Sequence, residues 1–345
     1  MSNRSPFKAR VLSQNYLTGN LPVSLLANLT NLLEFDISNN YINGSIPPVL
    51  GNLSALSLLI LGHNELVGQI PSALGFLTNL TYFIVSNNRL SGSIPSNLGL
   101  LINLKVIILL VNKITSSIPS TLCNLTKLEI LKLGYNQISG SIPPEIENLK
   151  SLNYLTIWNN NLTGTIPSTL GNLTRLGKLN FGYNQFNGLI PSEIGNLNSL
   201  LDLLFQRNNL ISPIPFTLEL GNLKRLLSLL IRENNLHGSI PSTIGNLTQL
   251  MTLVFDRNQI LGLVPPEIGN LKSLYKLDLR DNNVNGQIRS SLSNLTRLKD
   301  LRLGSNLLGG IIYLELMKVP NLQHLDLSKN QISGVIPLEL VHCTI

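Results

Sequence analysis

The chain of 345 residues is poor in charge, with 12% charged and 5% aromatic residues, and its apolar residues are spread evenly from end to end. A chain of this length exceeds what one compact core usually holds, so this even composition predicts an elongated architecture rather than two globular domains. The longest apolar run, Val106 to Val111, is far shorter than the roughly 20 residues that span a bilayer, which excludes a transmembrane helix in this chain.

The chain begins without the apolar segment of a secretory signal peptide, so no export signal is expected within it. The net charge of +7 is too dilute to predict an anionic partner by itself. Two cysteines, Cys123 and Cys343, are too few for a disulfide scaffold. In a stack of repeats they would lie on the order of 40 Å apart, beyond disulfide reach, so we interpret both as packing residues.

One segment recurs about every 24 residues along the chain, with one extra residue before Asn40 and two before Asn234. Its most regular feature is an asparagine, which marks about fourteen repeats in chain order: Asn15, Asn40, Asn64, Asn88, Asn112, Asn136, Asn160, Asn184, Asn208, Asn234, Asn258, Asn282, Asn306 and Asn330. A fixed period of this length is typical of solenoid proteins, in which neighbouring repeats bury each other's apolar face.

Each repeat predicts the same succession of elements. The L-x-x-L-x-L-x-x-N pattern predicts a short strand with one buried face. A following G-x-I-P segment changes the chain direction, because glycine tolerates positive φ and proline fixes φ. An L-G-N-L-x-x-L tail then leads back to the next strand. The asparagine amides are interpreted as a structural ladder that satisfies backbone groups of the turn and of the adjacent repeat.

The full pattern, L-x-x-L-x-L-x-x-N-x-L-x-G-x-I-P-x-x-L-G-N-L, resembles the plant-specific class of leucine-rich repeats over about residues 7 to 345. The resemblance implies an α/β-type repeat solenoid, a right-handed superhelix with a parallel sheet on its concave face and a second, shorter sheet from the L-x-G-x-I-P segments. We therefore expect a single solenoid over residues 1–345. The cysteine-containing caps of the family are not recognisable at either end, so a fragment or truncated product is expected.

Ten N-x-S/T sequons occur, and six share the outer L-G-N-L turn. These six acceptors are Asn28, Asn52, Asn124, Asn172, Asn246 and Asn294. Glycans at this turn would cover the convex side and leave the concave face free, provided that the chain enters the secretory pathway.

The variable positions of the predicted strands face solvent on the concave side, and two clusters stand out there. The first is an apolar stripe bordered by aromatic residues: Ile60, Ile84, Ile108, Leu110 and Val111, with Tyr82, Tyr135, Tyr154, Trp158 and Tyr183. Exposed Trp and Tyr side chains on rigid strands are typical interface anchors. The alternative is that Ile, Val and Tyr are present only because they form strands well.

The second cluster places one arginine in each of five repeats: Arg207, Arg232, Arg257, Arg280 and Arg302. Acidic residues alternate with them: Asp202, Glu233, Asp256, Asp278, Asp281 and Asp300. The guanidinium groups are suited to bidentate binding of ligand carboxylates. Pairing with the neighbouring acids is an equally good interpretation. The R-x-R pair with which many peptide-binding members contact a ligand carboxylate is absent.

Catalysis, metal binding and cofactor binding are not expected. The sequence has no phosphate-binding glycine loop or kinase motif, and its four histidines, His63, His237, His324 and His342, lie in separate repeats. Nucleic-acid binding is not expected either, because acids alternate with the arginines.

The resemblance implies a non-catalytic recognition module like the ectodomain of a plant receptor-like kinase, which binds a peptide or protein on its concave face. It also implies an extracellular location, at the plasma membrane or in the apoplast, and admits a co-receptor as a further partner. Two alternatives are a polygalacturonase-inhibitor-like protein of the cell wall and a truncated receptor fragment without activity of its own.

Overall fold

The computed structural model describes residues 8–23, 29–211, 220–317 and 319–336. The chain divides into two compact units, Met1–Leu176 and Gly177–Ile345. Both units repeat one order of elements: a first short strand, a turn at the ladder asparagine, in most repeats a second short strand, and a 3₁₀ helix that leads to the next repeat. The interpretation of residues 1–345 as a single solenoid stays a prediction.

The strands of the first unit are two to four residues long. They are β1 (Ala9–Val11), β2 (Thr18–Asn20), β3 (Glu34–Asp36), β4 (Tyr41–Asn43), β5 (Leu58–Ile60), β6 (Val67–Gln69), β7 (Tyr82–Ile84), β8 (Arg89–Gly92), β9 (Val106–Ile108), β10 (Lys113–Ile114), β11 (Ile130–Lys132), β12 (Ser139–Gly140), β13 (Tyr154–Thr156) and β14 (Asn161–Leu162). Its 3₁₀ helices span Pro48–Asn52, Ser72–Phe76, Ser96–Leu100, Ser120–Asn124, Pro144–Asn148 and Ser168–Asn172.

The second unit continues the same element order. Its strands are β15 (Lys178–Asn180), β16 (Asn187–Gly188), β17 (Asp202–Leu204), β18 (Asn209–Leu210), β19 (Ser228–Leu230), β20 (His237–Gly238), β21 (Thr252–Val254), β22 (Gln259–Leu263), β23 (Lys276–Asp278), β24 (Asn283–Gln287), β25 (Asp300–Arg302), β26 (Leu307–Gly310), β27 (His324–Asp326) and β28 (Gln331–Ile332). Its helices are α1 (Leu314–Met317) and the 3₁₀ helices Ser192–Asn196, Leu220–Asn222, Ser242–Asn246, Pro266–Asn270 and Ser290–Asn294.

In each unit the odd-numbered strands form a parallel sheet in chain order, β1 to β13 in the first and β15 to β27 in the second. The register aligns equivalent residues of consecutive repeats: Leu131 pairs with Ile107 on one side and with Leu155 on the other. Because strand side chains alternate between faces, this register places the leucines of all repeats on one buried face. The predicted parallel sheet and repeat fold are confirmed.

The even-numbered strands form the predicted second sheet, which is divided into short segments. In the first unit β2 pairs with β4, β6 with β8 and β8 with β10, and β12 with β14. In the second unit β16 pairs with β18, and β20 to β28 form one five-stranded segment. All of the pairings resolved within these segments are parallel.

The core of each repeat lies between its two strands and its 3₁₀ helix. In the repeat that precedes Asn64, the buried leucines are fully inaccessible to solvent: Leu50, Leu53, Leu56, Leu59 and Leu61. Each buried leucine contributes about 1.5–3 kcal/mol relative to an exposed one. A single repeat offers no second layer to cover these side chains, so their burial depends on the neighbouring repeats.

The return segment after the Ile-Pro position, to which the sequence pattern assigns no conformation, forms a 3₁₀ helix in most repeats. The proline stands just before the helix in an extended conformation, as at Pro119 with φ −65° and ψ 130°. The first turn closes when the Leu122 N–H donates to the Pro119 carbonyl at 3.0 Å. Three residues per turn bring Leu122 and Leu125 to the same side, where both are buried.

The ladder asparagines make the same hydrogen bonds in successive repeats. Asn136 Oδ1 accepts the Ile114 N–H at 3.0 Å. Its Nδ2 donates to the carbonyls of Leu109, Leu133 and Gly134 at 2.9, 3.0 and 3.2 Å. One amide therefore joins the turn of its own repeat to two backbone groups of the preceding repeat. The same pattern occurs at Asn40, Asn64, Asn88, Asn112, Asn160, Asn208, Asn234, Asn258, Asn282, Asn306 and Asn330.

The residue immediately before each ladder asparagine has a left-handed backbone, with φ between 51° and 59°. This position holds side chains as different as Gln14, Val111, Tyr135 and Arg207. The first strand of each repeat therefore ends before the asparagine, and the last two variable positions lie on a bend. The expectation that all variable positions lie on strands is corrected by this bend.

Candidate functional site

The apolar stripe of the first unit is a row of side chains on neighbouring strands. Ile60, Ile84 and Ile108 are paired in register on β5, β7 and β9, and all three side chains are half-buried. Parallel strands lie about 4.8 Å apart, so the three side chains form a continuous apolar strip. Val111, which belongs to the bend, is 39% exposed. This strip lies on the outward face of the sheet, opposite the leucine core.

Tyr82 and Tyr154 border this strip on β7 and β13, where both side chains are about 40% exposed. The Lys132 ammonium lies 5.8 Å from the centroid of the Tyr154 ring, within the range of a cation–π contact. The predicted contact residues Tyr82, Ile108 and Tyr154 are therefore positioned on strands, on the same face of the sheet.

Trp158 and Tyr135 lie on the bends of consecutive repeats and contact each other. Their ring centroids are 5.3 Å apart with an interplanar angle of 75°, an edge-to-face arrangement. Trp158 is half-buried, whereas Tyr135 is 51% exposed. A Cβ atom at Gly134 would lie only 2.6 Å from the Trp158 indole, so the indole packs directly over this glycine. Gly134 thus makes room for Trp158, a contact that the sequence analysis missed.

Tyr183, the last residue of the predicted aromatic cluster, belongs to the second unit. The Arg207 guanidinium lies 4.9 Å from the centroid of its ring. This cation–π contact lies within the second unit.

The five arginines of the predicted arginine cluster all form ion pairs within the second unit. Arg207 Nε lies 2.7 Å from Glu233 Oε2, and Arg232 lies 2.9 Å from Glu233 Oε1. Arg257 lies 3.6 Å from the same carboxylate and 3.8 Å from Asp281. Three guanidinium groups therefore converge on Glu233.

The remaining two arginines pair with acids two residues earlier in the chain. Arg280 contacts Asp278 through two nitrogens, at 3.0 and 2.9 Å. Arg302 Nε lies 2.8 Å from Asp300 Oδ1. Burial would raise the pKa of Asp300, but hydrogen bonds from Arg302 and Lys276 outweigh it and hold this pKa below its ordinary value. These contacts favour the intrachain-pairing interpretation of the arginine cluster over the ligand-binding one.

Asp256 is a buried acid in the middle of the arginine cluster. Its side chain is 3% exposed, and within the described residues its Oδ1 has no hydrogen-bond partner. Burial, reinforced by the nearby Asp278 carboxylate, raises the pKa of Asp256 above its ordinary value, and Arg232, Arg280 and Arg257 offset this only in part.

The raised pKa of Asp256 predicts a pH-dependent loss of stability. The folded state holds this proton more tightly than the unfolded chain, so the corresponding stabilisation is fully present below the unfolded pKa and is lost as pH rises through the folded pKa. We therefore expect Asp256→Asn to raise the free energy of unfolding at pH 7 and to flatten its decrease above pH 4, measured by urea denaturation across this range. Asp281→Asn, which removes an exposed acid nearby, is the matched control. A steeper pH dependence in Asp256→Asn than in the wild-type chain would contradict this account.

Five of the six predicted glycan acceptors are exposed at the last residue of a 3₁₀ helix: Asn52, Asn124, Asn172, Asn246 and Asn294. Asn172 Nδ2 also donates to Glu147 Oε2 at 2.6 Å. The sixth acceptor, Asn28, lies outside the described residues.

Cys123 is buried in the core, and burial, followed by the charge of Glu145, raises the pKa of its thiol to about 11. Its thiol is therefore poorly suited to nucleophilic chemistry. Cys343 lies outside the described residues. Among the residues that the structure describes, no group of His, Cys, Asp and Glu is arranged to hold a metal ion. No helix within the described ranges has the length and apolar character needed to cross a membrane.

Two family models of leucine-rich repeats match most of the chain. The model of a leucine-rich repeat region matches residues 120–229 and 204–335, and a leucine-rich repeat model matches residues 31–53 and 79–101. A curated relative, receptor-like protein 32 of Arabidopsis thaliana, is 48% identical over 60 residues, which are 17% of this chain and 7% of that protein.

Solved structures of plant receptors are similar over nearly the whole chain. The structure of PEPR1 with AtPEP1 has a TM-score of 0.80 and 34% identity, covering 95% of this chain and 52% of that one. The plant peptide hormone receptor RGFR1 in complex with RGF2 has a TM-score of 0.75 and 30% identity, covering 96% of this chain and 64% of that one. The chain thus spans about half to two thirds of the length of these two structures.

Proposed function

The chain belongs to the leucine-rich repeat family, and we propose that it is a non-catalytic recognition module that binds a peptide or protein segment on the outward face of the first unit's sheet. The single observation that carries this proposal is the contact between Tyr135 and Trp158, one and two repeats after the last isoleucine of the row. The similarity to a plant peptide hormone receptor supports a peptide as the ligand.

The arrangement suits binding for two physical reasons. Tyr135 and Trp158 lie on bends that are joined by the hydrogen bond from the Tyr135 N–H to the Trp158 carbonyl at 2.9 Å, so little conformational entropy is lost when a ligand covers their rings. Trp158 is already fixed by Tyr135 and Gly134, and burial of a preorganised Trp or Tyr is the commonest source of large interface energies. The apolar row provides the adjoining contact area, which predicts a ligand segment with apolar side chains.

The arginine cluster of the second unit is not part of the proposed ligand-binding face. Its arginines are occupied by Glu233, Asp278, Asp281 and Asp300, so a ligand carboxylate would have to compete with existing ion pairs. We propose that Arg207, Arg232, Arg257 and Arg280 primarily fix the bends of their repeats, and that Arg302 stabilises strand β25 through Asp300. An extracellular location and a co-receptor as second partner are parts of the same proposal, and the exposed outer sequons support the location.

Selection of a displayed random-peptide library on the chain tests the proposal. We expect enriched peptides rich in apolar residues, and we expect Trp158→Ala and Tyr135→Ala each to weaken their affinity by at least about tenfold, or about 1.4 kcal/mol, in calorimetric titrations. Because Trp158 is the only tryptophan of the chain, its fluorescence also reports binding at this face directly.

Tyr275→Ala is the matched control, since Tyr275 is 45% exposed in the second unit and outside the proposed contact face. Unchanged affinity in both aromatic variants would remove this face from the proposal. Inhibition of a polygalacturonase by the chain, without enrichment of any peptide, would instead support the inhibitor alternative.

A further inference from the structure

Tyr16 and Tyr41 form an exposed aromatic surface in the first unit that the proposed function does not use. They occupy the same position in consecutive repeats, directly after Asn15 and Asn40. Their ring centroids are 6.3 Å apart and the planes differ by only 14°. Tyr16 is 86% exposed and Tyr41 is 51% exposed. Large aromatic faces that remain in water mark a surface that a ligand covers.

The backbone beneath the two rings is held by hydrogen bonds. Asn40 Oδ1 accepts the Leu17 N–H at 2.9 Å, and the Tyr41 N–H donates to the Leu17 carbonyl at 2.8 Å. The Gln14 N–H donates to the Ser38 carbonyl at 2.9 Å. Both turns are therefore positioned before a ligand arrives, which lowers the entropic cost of binding.

An open cavity of about 560 Å³ lies beside the rings. Both tyrosines line it together with polar residues: Gln14, Asn15, Asn39, Asn40 and His63. No Lys, Arg, Asp or Glu is among these lining residues. Within the described part of the chain, the exposed Gln14 and Asn39 side chains make no hydrogen bond. Each of these amides offers both a donor and an acceptor to a ligand.

We propose that this surface binds a neutral oligosaccharide. A sugar ring has an apolar C–H face, which can cover a tyrosine ring, and an edge of hydroxyl groups that both donate and accept hydrogen bonds. The amides of Gln14 and Asn39 match these hydroxyls in both roles. The absence of charged side chains among the lining residues favours an uncharged ligand.

Two further features define the ligand. The two rings stand one repeat apart, so a ligand that covers both must contain at least two sugar units. A proline-rich peptide also docks on aromatic surfaces, but it presents mainly carbonyl acceptors. Such a peptide would leave the side-chain oxygens of Gln14 and Asn39 unmatched, so the observations favour the saccharide.

Calorimetric titration of the full chain with neutral hexasaccharides tests this proposal, with cellohexaose, xylohexaose, mannohexaose and laminarihexaose as probes. We expect at least one of them to bind, and we expect the double variant Tyr16→Ala/Tyr41→Ala to lower its affinity by about tenfold or more, since two stacking contacts are lost. The double variant Tyr16→Phe/Tyr41→Phe retains both ring faces and should keep most of the affinity.

The controls separate this site from other effects. Tyr275→Ala removes a comparably exposed tyrosine elsewhere and should leave affinity unchanged, and far-UV circular dichroism should show all variants to be folded. Failure of every neutral probe to bind the wild-type chain would overturn the proposal, as would equal binding by the alanine double variant. Stronger binding of hexagalacturonate or of a polyproline peptide would also overturn it. Tyr16 and Tyr41 are not among the residues of the proposed peptide face, so neither result decides the other.

Discussion

Replacement of Phe181 with alanine is expected to lower the free energy of unfolding by about 3–5 kcal/mol. Phe181, Phe186 and Phe205 are fully buried in the second unit. The Phe181 ring lies 5.3 Å from the Phe186 ring and 5.6 Å from the Phe205 ring, measured between centroids. The substitution therefore removes two aromatic contacts. It also creates a cavity between adjacent repeats, which the closely packed core cannot fill by relaxing.

Urea denaturation followed by far-UV circular dichroism measures this effect. Phe76→Ala is the matched control, because Phe76 is 63% exposed at the end of a 3₁₀ helix, and its removal should change stability by no more than about 0.5 kcal/mol. Hydrogen exchange should show the largest loss of protection in β15 and β17, since each repeat is stabilised mainly by its neighbours. Equal stability of the two variants would show that the phenylalanine cluster does not hold these repeats together.

The repeat period and the buried columns were predictable from sequence because they depend on side-chain type alone. Leucines recur at the positions that the parallel sheet turns inward, and residues such as Leu131 and Leu155 are paired as the period requires. The strand ends were less predictable. The left-handed residue before the ladder asparagine is Asn in only three of fourteen repeats and is Gln, Val, Tyr, Arg or another residue in the rest, so residue type does not mark it. Its conformation follows from hydrogen bonds between repeats, such as that from the Tyr135 N–H to the Trp158 carbonyl at 2.9 Å.

The sequence was sufficient to predict which residues of the candidate site face outward, but not which of their side chains contact each other. The sequence placed Trp158 and Tyr135 in adjacent repeats, whereas the edge-to-face contact depends on the empty space above Gly134. A glycine next to a large residue in the same column is the signal that would have indicated it. The partners of the arginines could not be predicted for a related reason. Spacing alone does not decide whether the Arg280 side chain turns towards Asp278, as it does, or towards a ligand.

Replacement of Asn136 with alanine is expected to lower the free energy of unfolding by about 3 kcal/mol, because several buried backbone groups lose their partner at once. Ile114 N–H would lose its acceptor, and the Leu109 and Leu133 carbonyls would lose the donor that now lies about 3 Å away. The Asn136 side chain is only 9% exposed, so water has little access to replace these bonds. Two of the three groups belong to the preceding repeat, so the loss should reduce the cooperativity between repeats as well as stability.

Two further variants distinguish the hydrogen bonds from the loss of side-chain volume. Asn136→Asp has nearly the same shape and keeps the acceptor, but it turns an oxygen towards the carbonyls of Leu109, Leu133 and Gly134. We expect it to be at least as destabilising as Asn136→Ala at pH 7, since a buried carboxylate facing acceptors is neither solvated nor paired. Gln137→Ala removes an exposed amide one residue later and should cost no more than about 0.5 kcal/mol. If Asn136→Asp were as stable as the wild-type chain, the amide donor would not be what joins consecutive repeats.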